Sequence, residues 1–227
     1  MAVSATRFAS YVPMEKLASF AAGTLLGLTA IYIWDRKLKE YFDIPLKPSP
    51  TSTPEEKQQL EYLINRILSC EAIKKLCMKI YKTATYNHPK PGSWTIKFEK
   101  TPFGAHCDCV NREIVLSPSK LDDFLMSYLL FEMLNASQTP RFMDVDKKAR
   151  ELGMEEFVKK NEEIEFDNTK TYQPLYLQAR KEGIRLINPW ASLPDNFEEE
   201  WLSQKDTPHA ENYRTLWKNH YGIPDVK

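Results

Sequence analysis

The hydrophobic pattern divides the chain near its N-terminus. Leu17–Trp34, LASFAAGTLLGLTAIYIW, carries no charged side chain. At about 1.5 Å rise per residue, a helix over this run spans about 27 Å, close to the ~30 Å hydrocarbon core of a bilayer. Tyr32 and Trp34 fall where an interfacial aromatic belt lies. The run ends in Ile31-Tyr32-Ile33-Trp34 rather than in small residues, which disfavours a cleaved signal peptide. Residues 1–14, with Arg7 and no acid, leave a mitochondrial presequence open. Arg36, Lys37 and Lys39 follow the run, against Arg7 and Lys16 before it, so the positive-inside tendency puts the C-terminal bulk in the cytosol. Ser19, Gly23 and Gly27 recur every four residues. This small-residue face would let two membrane helices meet as a homodimer, although glycine is common in membrane helices in any case.

Beyond the run, the pattern predicts a folded domain. Residues 35–54 read as a juxtamembrane segment and a proline-rich linker, with Pro45, Pro48, Pro50 and Pro54 in the second half. Thr53, Pro54 and Glu56 then form a capping-box start. Leu60, Leu63, Ile64, Ile67 and Leu68 follow helical spacing, and Ile73, Leu76, Cys77 and Ile80 predict a second helix over Glu71–Thr83. Trp94–Phe98, Ala105–Val110 and Arg112–Leu116 read as strands, the last two joined at Val110-Asn111. Ser117-Pro118-Ser119 precedes an apolar helix and is placed to cap it. Asp144–Phe166 is a charged helical stretch interrupted near Gly153. Leu175–Glu182 reads as a short helix closed by Gly183, and further short helices are expected around 197–204 and 210–219. The expected organisation is an N-terminal segment (1–16), a transmembrane helix (17–34), the linker (35–54) and a mainly helical α+β domain with a small antiparallel sheet (55–227).

Composition narrows the function classes. Lys and Arg number 31 and Asp and Glu 31, so no basic excess points to nucleic acid. The 7 glycines form no phosphate-cradling loop. The 4 cysteines, Cys70, Cys77, Cys107 and Cys109, are too few for a disulfide framework and read as reduced thiols, Cys70 and Cys77 as small core residues.

One position stands out within the apolar helix. Between Asp123 and Arg141 the one charged side chain is Glu132. A carboxylate there is costly unless it is paired, hydrogen-bonded or used. A core hydrogen bond to backbone or Asn135, or an ion pair with Arg141 or Arg180, is the structural explanation and outweighs the catalytic one.

Phe131-Glu132-Met133-Leu134-Asn135 resembles, in degenerate form, the H-E-x-x-H helix of the zinc metallopeptidases, the zincins. In that family an edge strand precedes the helix, two histidines bind zinc and the glutamate activates water. The resemblance implies that Glu113–Leu116 is that strand. It also makes Glu165, within Glu162-Glu163-Ile164-Glu165, the counterpart of the third ligand of the gluzincins. Phe131 cannot ligate zinc and Asn135 is a poor neutral ligand, so the resemblance implies no zinc and no ordinary peptidase activity.

The remaining candidates have duller explanations. In His106-Cys107-Asp108-Cys109 the two cysteines point one way on a strand and the other pair the opposite way. The thiols read as packing residues with little room to bridge, or as a nucleophile with His88 or His106 as base. His209 and His220 are expected to be solvated. Trp190, Trp201, Tyr213, Trp217 and Tyr221 are expected to wrap the tail onto the core, or to form a partner surface. The sequence thus points to a membrane-anchored protein-interaction module with a catalytically dead zincin-like domain, a protein partner and no cofactor. The alternative is a membrane-anchored hydrolase with zinc and Glu132 as general base.

Overall fold

The computed structural model describes residues 45–118, 121–189 and 192–222. The predicted membrane helix, with Ser19, Gly23 and Gly27, lies outside these residues, as does Trp190. Among the described residues no helix is long and apolar enough to cross a membrane.

The described chain runs β1 (Leu46–Pro48), α1 (Pro54–Ile67), α2 (Glu71–Lys82), β2 (Trp94–Phe98), β3 (Ala105–Asp108), β4 (Glu113–Leu116), α3 (Asp122–Ser137), α4 (Thr139–Lys147), α5 (Ala149–Lys181), α6 (Phe197–Gln204) and α7 (Pro208–His220). Helices with a small sheet make it α+β.

Local signals act where expected. Thr53 Oγ1 accepts from the Glu56 N–H at 3.2 Å, and Glu56 Oε2 accepts from the Thr53 N–H at 2.8 Å, completing the box that starts α1. Gly153 has φ 72° and breaks α5 after its first turn. Pro174 stays inside the same helix, so the stretch from Leu175 continues α5 rather than forming a helix of its own. Gly183 then ends α5 with φ 78°: its N–H reaches the Arg180 carbonyl at 3.1 Å, and the Ile184 N–H reaches Ala179 at 2.9 Å. This is the Schellman arrangement that glycine's left-handed freedom permits.

The sheet departs from expectation. Its order is β1-β2-β4-β3, with β1, β2 and β4 parallel and only β3 antiparallel to β4. The predicted antiparallel sheet is therefore mixed, and Glu113–Leu116 is a central strand; Ala105–Asp108 is the edge. Ile114, Val115 and Leu116 are all buried, the mark of a strand covered on both faces. Leu46–Pro48 was expected in the linker. Instead it is the other edge, with Leu46 1% exposed and in register with Trp94. Proline suits an edge because it has no N–H to donate into a ladder. A compact unit accordingly begins at Pro45.

The core lies between this sheet and α1, α2, α3 and α5. Every residue of α3 from Leu129 to Ser137 is buried, as the near-absence of charge in this helix implied. Leu121, not a serine, precedes its first turn, without a side-chain cap. Ser117 is occupied elsewhere: its hydroxyl accepts from the Thr101 N–H at 2.7 Å and donates to the Thr101 carbonyl at 3.0 Å. A second apolar cluster joins Phe157 and Val158 to Ala210, with Trp201, Tyr213, Trp217 and Tyr221 packed against it. These aromatics do fasten the C-terminal helices to α5.

Candidate functional site

Three helices converge on Glu132. The residue lies near the middle of α3 and is 6% exposed. From α5 come Glu162, Glu165 and Asn168, spaced so that one helical face carries all three. From the first turns of α7 come His209 and Tyr213, four residues apart and therefore neighbours on that helix.

A relay of hydrogen bonds holds the α3 side of the site. Asn168 Nδ2 donates to Asn135 Oδ1 at 2.8 Å, and Asn135 Nδ2 donates to Glu132 Oε2 at 3.0 Å. The expected Asn135 partnership is thus present. The arginine alternatives are not, since Arg141 pairs with Asp167 at 2.8 Å and Arg180 donates to the Tyr176 hydroxyl at 3.0 Å.

The α7 side supplies the countercharge. His209 Nδ1 lies 2.9 Å from Glu162 Oε1, and Nε2 lies 3.4 Å from Glu165 Oε2. Tyr213 Oη donates to Glu165 Oε1 at 2.5 Å. Phe103 and Tyr213 both meet the imidazole edge-on, each with centroids 5.5 Å away. Phe103 reaches it from the turn that Gly104 closes with φ 81°, where a side chain in place of hydrogen would run into Tyr128.

These contacts set the protonation states. Burial, then the charge of Glu165, pushes Glu132 up to about 8, against the Asn135 hydrogen bond. Glu132 therefore holds a proton at neutral pH. Burial also raises Glu165, against the charge of His209 and the Tyr213 hydrogen bond. For His209, burial is the largest influence and acts downward. The Glu162 hydrogen bond and the charges of Glu165, Glu162 and Glu132 together outweigh it and lift the imidazole to about 9. At pH 7 an imidazolium at His209 is held between the side chains of Glu162 and Glu165, beside a neutral carboxyl group at Glu132.

This donor set does not fit zinc. Phe131 offers no ligand atom. Both polar atoms of Asn135 are taken by Asn168 and Glu132, and Glu165 is taken by Tyr213 and His209. Among the described residues no group of three or more His, Cys, Asp or Glu side chains is gathered so as to hold a metal ion.

His209 corrects the expectation of a solvated histidine, whereas His220 is exposed as expected. The spacing of His209 and Tyr213 was visible in the sequence; that their helix docks on Glu162 and Glu165 was not. Of the other candidates, Cys107 and Cys109 lie close enough to Glu132 to feel its charge. His106 and His88 are exposed. Asp108 caps the turn after β3, accepting from the N–H groups of Val110 at 2.9 Å and Asn111 at 3.0 Å. The Cys107 and Cys109 sulfurs are 3.5 Å apart, with Thr139 Oγ1 3.2 Å from Cys109, so no histidine serves either thiol as a base through these contacts. Cys70 and Cys77 are buried core residues.

Comparison with known proteins returns no match to this chain among family models, curated proteins or solved structures.

Proposed function

We propose that this protein is a membrane-anchored protein-interaction module whose folded domain is a zincin-like scaffold without peptidase chemistry. The observation that carries the reading is His209. Its imidazolium lies between Glu162 and Glu165, beside Glu132, where a zincin would gather its metal and base. The charge a metal would neutralise is met by a side chain of the same chain. Phe131 and Asn135 stand at the two positions that need imidazoles. With its carboxyl raised to about 8, Glu132 is mostly protonated at pH 7, and its hydrogen bond is to Asn135 rather than to a water-activating group. The order of elements supports the scaffold: an antiparallel edge strand, a strand leading into the helix of Glu132, then a helix bearing Glu165.

The anchor rests on Leu17–Trp34, and the cytosolic placement of the domain on Arg36, Lys37 and Lys39. The partner is a protein, with Ser19, Gly23 and Gly27 providing a face for self-association.

Zinc content tests the reading. The purified full chain is expected to hold no stoichiometric zinc, while the triple variant Phe131→His, Asn135→His, His209→Ala gains it and loses it again on Glu165→Gln. Stoichiometric zinc in the unmodified chain, lost on Glu165→Gln, would favour the hydrolase instead. A folded triple variant that takes no zinc refutes the zincin-like scaffold. For the anchor, Leu25→Arg with Leu26→Arg should move the chain from the membrane to the soluble fraction.

A further inference from the structure

Apart from the His209 cluster, two reactive side chains meet on the edge of the sheet. Cys107 lies on β3 and Cys109 just past its end, in the turn that Asp108 caps and that Arg112 completes with φ 54°. Fully extended backbone would hold two sulfurs at this spacing apart. The turn folds the second over the first, and the thiols touch at 3.5 Å. Both residues are half-buried, on the edge strand and in the turn that follows it. Closing the remaining ~1.5 Å to a bonded S–S distance lies within the reach of two side-chain rotations.

We propose that Cys107 and Cys109 form a reversible dithiol that undergoes thiol–disulfide exchange with low-molecular-weight disulfides, Cys109 attacking and Cys107 resolving. The Cys109 thiolate attacks one sulfur of R–S–S–R. That bond breaks, and RS⁻ leaves with the electron pair and takes a proton from solvent. Cys107 then gives its proton to solvent and attacks the Cys109 sulfur, expelling the second RS⁻. The dithiol loses two electrons, and the small disulfide becomes two thiols.

The surroundings assign the two roles. Cys109 has the Thr139 hydroxyl 3.2 Å from its sulfur, a donor that stabilises a thiolate there, with the Cys107 sulfur 3.5 Å away as the neighbour that can resolve it. Burial pushes Cys107 well up, with Cys109, Glu132 and Asp108 adding to it. Thr139 is a positioning residue with a choice of acceptor. Its hydroxyl lies 2.8 Å from the Ala136 carbonyl and 3.2 Å from the Cys109 sulfur, and its one proton can turn to the sulfur when that becomes a thiolate.

The test uses the full chain in mild detergent, exposed to glutathione disulfide, with peptide mapping by mass spectrometry. The unmodified chain should lose the mass of two hydrogens through a Cys107–Cys109 bridge. Cys107→Ser should accumulate glutathione on Cys109, and Cys109→Ser should react about tenfold more slowly. Thr139→Val should move the pH midpoint of Cys109 alkylation upward, and Thr139→Ser should restore it. Buried Cys70 and Cys77 serve as internal controls, because their modification reports unfolding. The proposal is overturned if glutathione stalls on the unmodified chain without bridging. It is equally overturned if Cys109→Ser reacts as fast as Cys107→Ser, or if Cys70 and Cys77 are modified together with the pair.

Discussion

Replacing Glu132 with Gln should stabilise this protein at neutral pH, although the residue is buried and hydrogen-bonded. In the folded state its carboxyl keeps a proton up to about pH 8, against an ordinary value of 4.5. Between these values the folded chain binds more protons than the unfolded chain, so stability falls as pH rises. Each pH unit is worth about 1.4 kcal/mol, and by pH 7 the full effect approaches about 3 kcal/mol. Gln is a neutral isostere whose carbonyl can still accept from Asn135 Nδ2, so it escapes this penalty. Its extra N–H group is buried, at a cost of about 1 kcal/mol if it finds no partner. The net gain at pH 7 is therefore about 1–3 kcal/mol, shrinking to nothing or a small loss near pH 4.5. Urea unfolding of both proteins from pH 5 to 8 measures it. The difference between the two curves reports Glu132 together with its coupling to Glu165 and His209. A variant less stable than the parent at pH 7, with a difference that does not grow with pH, would mean that Glu132 is ionised and paired, and would refute the reasoning.

Other changes probe the rest of the domain. His209→Gln removes a cation whose folded pKa is raised to about 9 from 6.5. Its stabilisation is fully present below pH 6.5 and lost as pH rises through 9, so the variant should be weaker at pH 6 and converge on the parent above pH 9 in the same urea series. Arg112→Met should cost about 1–3 kcal/mol in a thermal melt and speed amide exchange in residues 83–92. Its guanidinium holds the carbonyls of Thr83 at 3.2 Å, His88 at 2.8 Å and Lys90 at 2.5 Å. Gly153→Ala should cost about 1–3 kcal/mol in the same melt from backbone strain alone, because φ 72° with ψ 169° is open essentially to glycine, while an added methyl group meets nothing within 4 Å.

Much of the helical part was legible because its signals are local. Thr53 and Glu56 are three residues apart and act on each other. The apolar spacing of Leu60 to Ile67 marks a buried face wherever its partner comes from. Gly183 ends a helix because of its own backbone freedom. The sheet was less legible. Leu46–Pro48 has the composition of a spacer, and only the register with Trp94 makes it a strand. The unbroken run Ile114-Val115-Leu116 carried the mark of a central strand, but the zincin resemblance put it at the edge; its hairpin with Ala105–Asp108 was legible and is present.

Glu132 shows where sequence stops and tertiary structure begins. The apolar run on both sides of Glu132 made its burial legible in the sequence, and the same reading singled out Asn135 and Glu165. The meaning of that burial was decided by α7, whose His209 lies 77 positions further along the chain. Its docking sets a cationic imidazole between Glu162 and Glu165 beside Glu132, and the turn after β3 likewise brings the sulfurs of Cys107 and Cys109 into contact. Caps and periodic faces act over one helical turn and can be read from neighbouring residues. The proton on Glu132, the charge on His209 and the approach of two thiols depend on distances set by elements packed together from far along the chain, and no local pattern encodes those distances.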